Sequence, residues 1–192
     1  MVICYFGDSL TLGYGDPSGL GWPGRVTGKL ITLGTDVTGY NLGIRKNVTA
    51  RLSDRWQHEA ELRLLPGLEH KLVFSFGVAD VMNEVPADDT LVNAETILTQ
   101  AKTFGEVLLI GPTPVGNNRQ TDAIAALSDR LEELCETLGV PFVAVMAPMQ
   151  ESGVFQQALK DGDSIHPSAM GYAALAECIL QSETARKYFG LE

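Results

Sequence analysis

Basic residues are scarce in this chain. Fourteen Lys and Arg stand against 24 Asp and Glu in 192 residues, a formal charge of −10. Binding a phosphate backbone requires a clustered basic footprint, so nucleic acid is excluded as a partner class. Long apolar runs are lacking too. None reaches the roughly 18 residues needed to span a bilayer, so no membrane span is expected. The apolar opening MVICYFGDSL has no basic stretch ahead of it and breaks at Gly7-Asp8, which fits a buried strand rather than a secretory leader. A cytoplasmic location follows as the expectation, and the acceptor pattern Asn47-Val48-Thr49 then carries no weight as a glycosylation site. Cysteine is rare and odd in number. Cys4, Cys135 and Cys178 are scattered without metal-ligand spacing, so reduced, mostly buried thiols are expected. Histidine is no commoner, at three residues, and no His/Cys/carboxylate cluster implies a metal. The final Leu191-Glu192 fits either native chain or a cloning scar.

What the sequence does have is alternation. Apolar runs at Val2–Gly7, Asp36–Leu42, Lys71–Phe76, Glu106–Ile110 and Pro141–Val145 read as strands. Between and after them, helix-spaced apolar residues mark Gly21–Leu33, Thr49–Leu65, Asp89–Phe104, Thr121–Leu138 and Pro167–Gln181. Gly34 and Gly139 serve as stops, Asp or Thr as the cap near residue 89, and Ser164 or Pro167 opens the last helix. Strands alternating with helices predict an α/β protein built on a five-stranded parallel sheet. No repeat, low-complexity tract or Pro/Ser linker interrupts residues 1–192, so one domain is expected.

In such sheets ligands sit beyond the carboxyl ends of the strands. Those loops contain Gly7-Asp8-Ser9-Leu10, Asn41-Leu42-Gly43, Gly77-Val78-Ala79-Asp80, Gly111-Pro112-Thr113-Pro114 and, after a longer excursion, Asp163-Ser164-Ile165-His166. Hydrolysis through a serine needs a hydroxyl, a base to take its proton, a carboxylate to orient the base and N–H donors for the oxyanion. All are present on one edge. Each piece also has a plainer reading. Ser9 can close a turn, Asp8 can hold that turn through backbone N–H groups, and Asp163–His166 can be an ion pair at a helix entry. His58, on a polar helix face, and His70, before a strand, read as solvated. Gly19-Leu20-Gly21-Trp22-Pro23-Gly24 matches G-x-G-x-x-G, but it follows no strand directly and carries Pro where amide donors are wanted, so a dinucleotide site is rejected. Trp22 reads as a core or pocket-wall aromatic. Arg45, Lys46, Arg51 and Arg55 read as a solvated face, with Arg45 close to the candidate site.

Together the pieces resemble the SGNH hydrolase superfamily, the GDSL-type esterases and lipases. FGDSLTLGYGDPSGLGWPGRV is similar to the block that carries the nucleophile, YNLGIRKNVTARLSDRW to the second, VFSFGVADV to the third and DSIHPSAMGY to the last. The resemblance implies a three-layer α/β/α sandwich, Ser9 as nucleophile, His166 as base, Asp163 as its orienting carboxylate, and the N–H groups of Ser9 and Gly43 in the oxyanion hole. It implies no cofactor and no metal. The third block normally reads Gly-x-Asn-Asp, and its asparagine donates a side-chain amide to the oxyanion. Here that position is Ala79, with Asn83 one helical turn further on as a substitute donor.

The function expected is a serine ester hydrolase acting on small or short-chain acyl esters, with a weakened oxyanion hole. Met82, Val85, Pro114, Val115, Met146 and Ile165 are the candidate lining of its acyl pocket. Ala79 motivates an alternative, a non-catalytic small-ligand binder on the same fold. A phosphate or nucleotide binder of flavodoxin type shares the strand–helix rhythm, but Asp8 is a poor neighbour for an anion.

Overall fold

The computed structural model describes residues 1–191; of the terminal pair, Glu192 lies outside the described residues. Five parallel strands form one sheet: β1 Val2–Gly7, β2 Thr38–Gly43, β3 His70–Ser75, β4 Glu106–Ile110 and β5 Phe142–Val143. Their spatial order is β2-β1-β3-β4-β5. The chain therefore moves one way from β1 to β2 and the other way from β1's opposite neighbour β3 onward. The crevice at the carboxyl ends of β1 and β3 is a topological switch point, where the loops diverge and leave room for a ligand.

Strand alternation divides the core in two. Ile3, Tyr5, Val73, Leu108 and Ile110 face one side, covered by α2 (Gly21–Thr32), α8 (Gly153–Asp161), α9 (Ala169–Gln181) and α10 (Glu183–Phe189). Val2, Cys4, Phe6, Leu72, Phe74 and Leu109 face the other, covered by α3 (Thr49–Glu61), α5 (Ala87–Ala101) and α6 (Asn118–Leu138). Helices on both faces of a parallel sheet make the expected three-layer sandwich. Aromatic side chains anchor each side. Tyr5 meets Trp22 edge-on with centroids 5.5 Å apart, and Trp56 stands edge-on to both Phe6 and Phe74. Cys4 and Cys135 are buried and Cys178 is half-buried, all as free thiols. Burial raises the first two to a pKa of about 12, which keeps them as inert protonated thiols.

Several boundaries moved. The last strand was expected over Pro141–Val145, but only Phe142 and Val143 pair with β4 before the chain turns at Val145 into α7 (Met146–Glu151). The α5 helix opens at Ala87 after Pro86, with no side-chain cap; Asp88 and Asp89 lie in its first turn, where they complement the helix dipole. Ser168, rather than Ser164 or Pro167, stands at the start of α9. Two very short helices, α1 Ser9–Leu12 and α4 Val78–Met82, were not foreseen because four or five residues display no periodicity. Nor were α7, α8 and α10, although Ser152 and Ser182 cap the last two.

Two readings of polar side chains also need correction. His70 is not simply solvated: its ring nitrogens lie 2.8 Å from the Leu65 carbonyl oxygen and 3.3 Å from that of Phe104, which fixes the entry to β3. Arg55 is a half-buried clamp. It donates to the carbonyl of Gly7 at 3.0 Å and to Asn47 Oδ1 at 3.2 Å.

The glycine-rich segment 19–24 is governed by an acid rather than a phosphate. The Asp16 carboxylate accepts from the N–H groups of Ser18 and Gly21, both 3.0 Å away, and pairs with Arg25 on α2. Burial pushes this carboxyl up, but Arg25, the Ser18 hydroxyl and the two amides outweigh it and hold its pKa at about 2. The ionised form is therefore the one the fold favours. Its contribution is complete above the ordinary aspartate value of about 4 and is lost as pH falls toward 2. Asp16→Asn should cost about 2 kcal/mol at pH 7, since it removes the charged partner of Arg25, which keeps the Gly21 carbonyl, and urea denaturation between pH 2 and 7 should show the gap closing at the acid end. An unchanged gap across that range would remove the linkage from Asp16.

Candidate active site

The first loop beyond the sheet is built by close approach. A Cβ on Gly7 would lie 2.2 Å from the Ser75 carbonyl oxygen, and one on Gly43 would lie 2.2 Å from the amide nitrogen of Leu12. Only hydrogen at both positions lets α1 sit directly on the ends of β1, β2 and β3. Asp8 caps α1. One carboxylate oxygen accepts the Leu10 N–H at 2.8 Å and the other accepts the Ala79 N–H at 3.2 Å, so it ties the loop after β1 to the loop after β3. It is buried, and burial dominates its titration: despite both amides its pKa rises to about 6, with the neighbouring Asp80 charge adding to the rise. Ser9 follows as the first residue of α1, with its own N–H outside the helical ladder.

His166 comes from the far end of the chain. After α8, Asp163 folds the backbone back on itself: Oδ1 accepts the N–H groups of Ile165 at 3.0 Å and His166 at 2.8 Å. That turn leaves Oδ2 facing the ring, 2.8 Å from His166 Nδ1. Nε2 lies 2.7 Å from Ser9 Oγ. A neutral imidazole satisfies both neighbours only with its proton on Nδ1, which leaves Nε2 as acceptor for the serine hydroxyl. Burial alone would raise Asp163, but the His166 amide, the imidazole and the Ile165 amide prevail and hold the carboxyl below its ordinary range. The structure thus brings Ser9, His166 and Asp163 into one hydrogen-bonded line, 157 residues apart at its longest link.

Gly43, expected as an oxyanion donor, stands at the end of β2. Gly43 N–H is already engaged, donating to Asn41 Oδ1 at 3.1 Å, and the need for glycine there comes from the contact with Leu12. Ile44 N–H bonds Gly7 O at 3.2 Å, and Asn47 N–H closes a turn onto Ile44 O at 3.3 Å. Among the described residues, the N–H groups of Arg45 and Lys46 at the tip of that turn have no partner. Lys46 is held at φ 58°, a left-handed conformation that a lysine rarely adopts. Sequence reasoning missed this turn because glycine, not lysine, advertises such a conformation.

Ala79 is nearly buried at the start of α4, behind Gly77 at φ 113°. Asn83 caps the far end of the same helix, and its Nδ2 donates to the Ala79 carbonyl at 2.7 Å, so the amide is engaged there. Asp80 is fully buried. Its Oδ1 receives the N–H and hydroxyl of Thr49, at 2.9 and 2.6 Å, which binds the start of α3 to α4.

Of the six apolar candidates for an acyl pocket, Val115 and Met146 belong to the core and Pro114 is buried, whereas Met82, Val85 and Ile165 are half-exposed. A groove of about 820 Å³ between α7, α8 and α9 has neither Ser9 nor His166 in its wall. Tyr14 does reach His166. Its ring stands edge-on to His166 with centroids 4.8 Å apart, held by Tyr172, whose hydroxyl donates to the Tyr14 carbonyl at 2.7 Å. Among the described residues no group of His, Cys, Asp and Glu could hold a metal ion, and no helix is long and apolar enough to cross a membrane.

The fold recurs among solved structures at low sequence identity. A member of the lipolytic G-D-S-L family from Veillonella parvula superposes with a TM-score of 0.81 at 18% identity, covering 96% of this chain and 98% of its own. A lipase/acylhydrolase from Enterococcus faecalis gives 0.80 at 22%, covering 99% and 96%. An acetylxylan esterase from Geobacillus stearothermophilus gives 0.76 at 20%, covering 96% of both. No curated protein matches the sequence. The family model for GDSL-like lipases and acylhydrolases matches residues 5–174, a span that contains the serine turn, the buried aspartates and the histidine loop, and on that match the chain belongs to the GDSL-like lipase/acylhydrolase family.

Proposed function

We propose that the protein is a serine esterase that removes small acyl groups, with Ser9, His166 and Asp163 as its catalytic residues. The observation that carries this reading is the continuous relay from Ser9 Oγ through both ring nitrogens of His166 to Asp163. Ser9 Oγ attacks the acyl carbonyl as its proton passes to Nε2. The tetrahedral intermediate collapses when Nε2 returns that proton to the departing alcohol, leaving acyl-Ser9. Water then attacks the acyl carbon and gives a proton to Nε2, and the second tetrahedral intermediate collapses as Nε2 returns that proton to Ser9 Oγ and the acid departs. Asp163 keeps the ring in the required tautomer and stabilises the imidazolium that forms at each stage. Each step moves protons between groups already present, so no cofactor enters.

The oxyanion is received by the N–H of Ser9 and by the turn after β2. There Gly43 N–H, 3.1 Å from Asn41 Oδ1, is the donor at the end of β2, and the amides of Arg45 and Lys46, without a backbone partner, follow it in the turn. A short acyl chain suits the site, because Pro114, Val115 and Met146 are packed inward rather than lining a deep slot. The acetylxylan esterase among the structural neighbours is consistent with such chemistry. Ala79 favours one rival reading, a pocket that binds an acyl ligand without turning it over.

Ser9→Ala separates the two. Turnover of p-nitrophenyl acetate should fall at least about 10³-fold and fluorophosphonate labelling should vanish by intact mass. Label retained in the variant, or no serine-dependent turnover in the parent protein, would leave the binder standing. The depressed Asp163 carboxyl stays ionised to lower pH than an ordinary aspartate, so the fall of kcat/KM at low pH should come from protonation of the general base, with the buried Asp8 carboxyl, raised to about 6, also taking up a proton as pH falls. Asp163→Asn should lower kcat by roughly 10²–10⁴ with the fold intact by circular dichroism; a flat acid profile or an unaffected kcat would remove these residues from the mechanism.

Ala79→Asn tests the oxyanion hole. The flanking Gly77 and Asp80 already give α4 its geometry, so the new amide should raise kcat by about 10-fold to 10³-fold with little change in KM. A fall in KM alone would mean that the amide holds substrate rather than the oxyanion. No gain would mean that the hole is complete without it.

A further inference from the structure

The turn between β2 and α3 has a second feature, its charge. Arg45 and Lys46 are both exposed, and among the described residues neither forms an ion pair. The acids of the neighbouring loops are committed elsewhere: Asp8 to the amides of Leu10 and Ala79, Asp16 to Arg25, Asp80 to Thr49, and Asp163 to His166. Arg45 is nevertheless held in place. Its guanidinium carbon lies 3.7 Å above the centroid of Tyr14, a close cation–π contact, and the edge-on contact of Tyr14 with His166 brings that guanidinium to the rim of the reacting groups. Stacking uses the face of a guanidinium and leaves its in-plane N–H fork free, the arrangement that grips a planar or tetrahedral oxyanion with two parallel hydrogen bonds. Lys46 is the next residue and is kept in its left-handed conformation, a strained state of the kind that persists where the surrounding structure uses it.

We infer that Arg45 and Lys46 form an anion-recognition element, so that the ester cleaved at Ser9 carries an acidic substituent, a carboxylate or a phosphate, on its alcohol portion. This rests on the esterase reading above and narrows its substrate class. The stacked Arg45 supplies the bidentate grip. Lys46 adds a second positive charge, and its backbone amide stays where it was.

Three acetate esters test this: 4-acetoxybenzoate, 4-acetoxyphenyl phosphate and the neutral 4-acetoxybenzamide. Acetate release gives kcat/KM for each, divided by the ester's own rate with hydroxide to remove differences in leaving-group reactivity. At least one anionic ester should exceed the amide by about 10-fold, and the excess should shrink as salt rises from 50 to 500 mM, as a charge–charge contact requires. Which acid is favoured identifies the source of the anion. In Arg45→Gln, Lys46→Gln and the double variant, the anionic-to-neutral ratio should drop toward one. The ratio is read within each protein, so a general loss from displacement of Tyr14 cancels. Arg45→Lys should recover only part of the ratio, because a point charge replaces a fork. A ratio at or below one in the parent protein, with the amide still hydrolysed through Ser9, overturns the inference and leaves the esterase intact. An excess that survives the double variant overturns the assignment to this turn. Failure to hydrolyse any of the three would instead count against the esterase itself and take this inference with it.

Discussion

The carboxylate of Asp8 is the joint on which the site depends. It is buried between two loops that leave the sheet from neighbouring strands, and it bonds one amide from each. A buried carboxylate without such donors would be costly, and even with them burial keeps its pKa near 6. The arrangement persists because α1 cannot sit elsewhere. Gly7 and Gly43 let it press onto the strand ends, and Arg55 holds the carbonyl of Gly7 from the opposite side. The position of Ser9 is therefore a property of the sheet, transmitted through one capping side chain.

The other half of the relay is assembled by a different device. Asp163 divides its two oxygens between backbone and ring, so the same carboxylate that shapes the loop also orients the imidazole. This couples local folding to chemistry: the loop cannot form without presenting the oxygen that His166 needs. Asp163 is half-exposed, and three donors rather than enclosure keep it ionised. Asp8 and Asp163 flank the two ends of the relay and titrate in opposite directions, one pushed up by burial and one pulled down by its donors.

Ala79 and the Arg45–Lys46 turn change the character of the site in the same sense. One removes a neutral donor from the oxyanion side, and the other adds uncompensated positive charge beside it. In the anion-recognition element proposed above, two cations act on a negative charge that arrives at this turn. On the esterase reading proposed above, the site leans on charge and backbone amides where the third block would supply an asparagine.

The sequence by itself determined the architecture and the loops that meet at one edge of the sheet. Apolar runs such as KLVFSF report burial on both faces of a parallel strand. Rows such as Leu52, Trp56 and Ala60 report a helix face. Ser9, Asp163 and His166 stand in loops that the strand rule assigns to one edge. These signals are local, and periodicity or adjacency makes them legible. Only tertiary structure decided the rest. Gly43 reads as a loop glycine with a free amide, but the packing of Leu12 is what requires hydrogen there, and Asn41 reaches along its own strand to its N–H. Asn83 reads as a replacement for Ala79, but one helical turn returns its amide to the Ala79 carbonyl. Arg55 and His70 read as solvated, but the ends of β1 and β3 give them carbonyl partners. The stacking of Arg45 on Tyr14 joins residues 31 positions apart. In each case the deciding fact is which hydrogen-bond donor meets which acceptor across loops distant in sequence, and no periodicity in the chain encodes that.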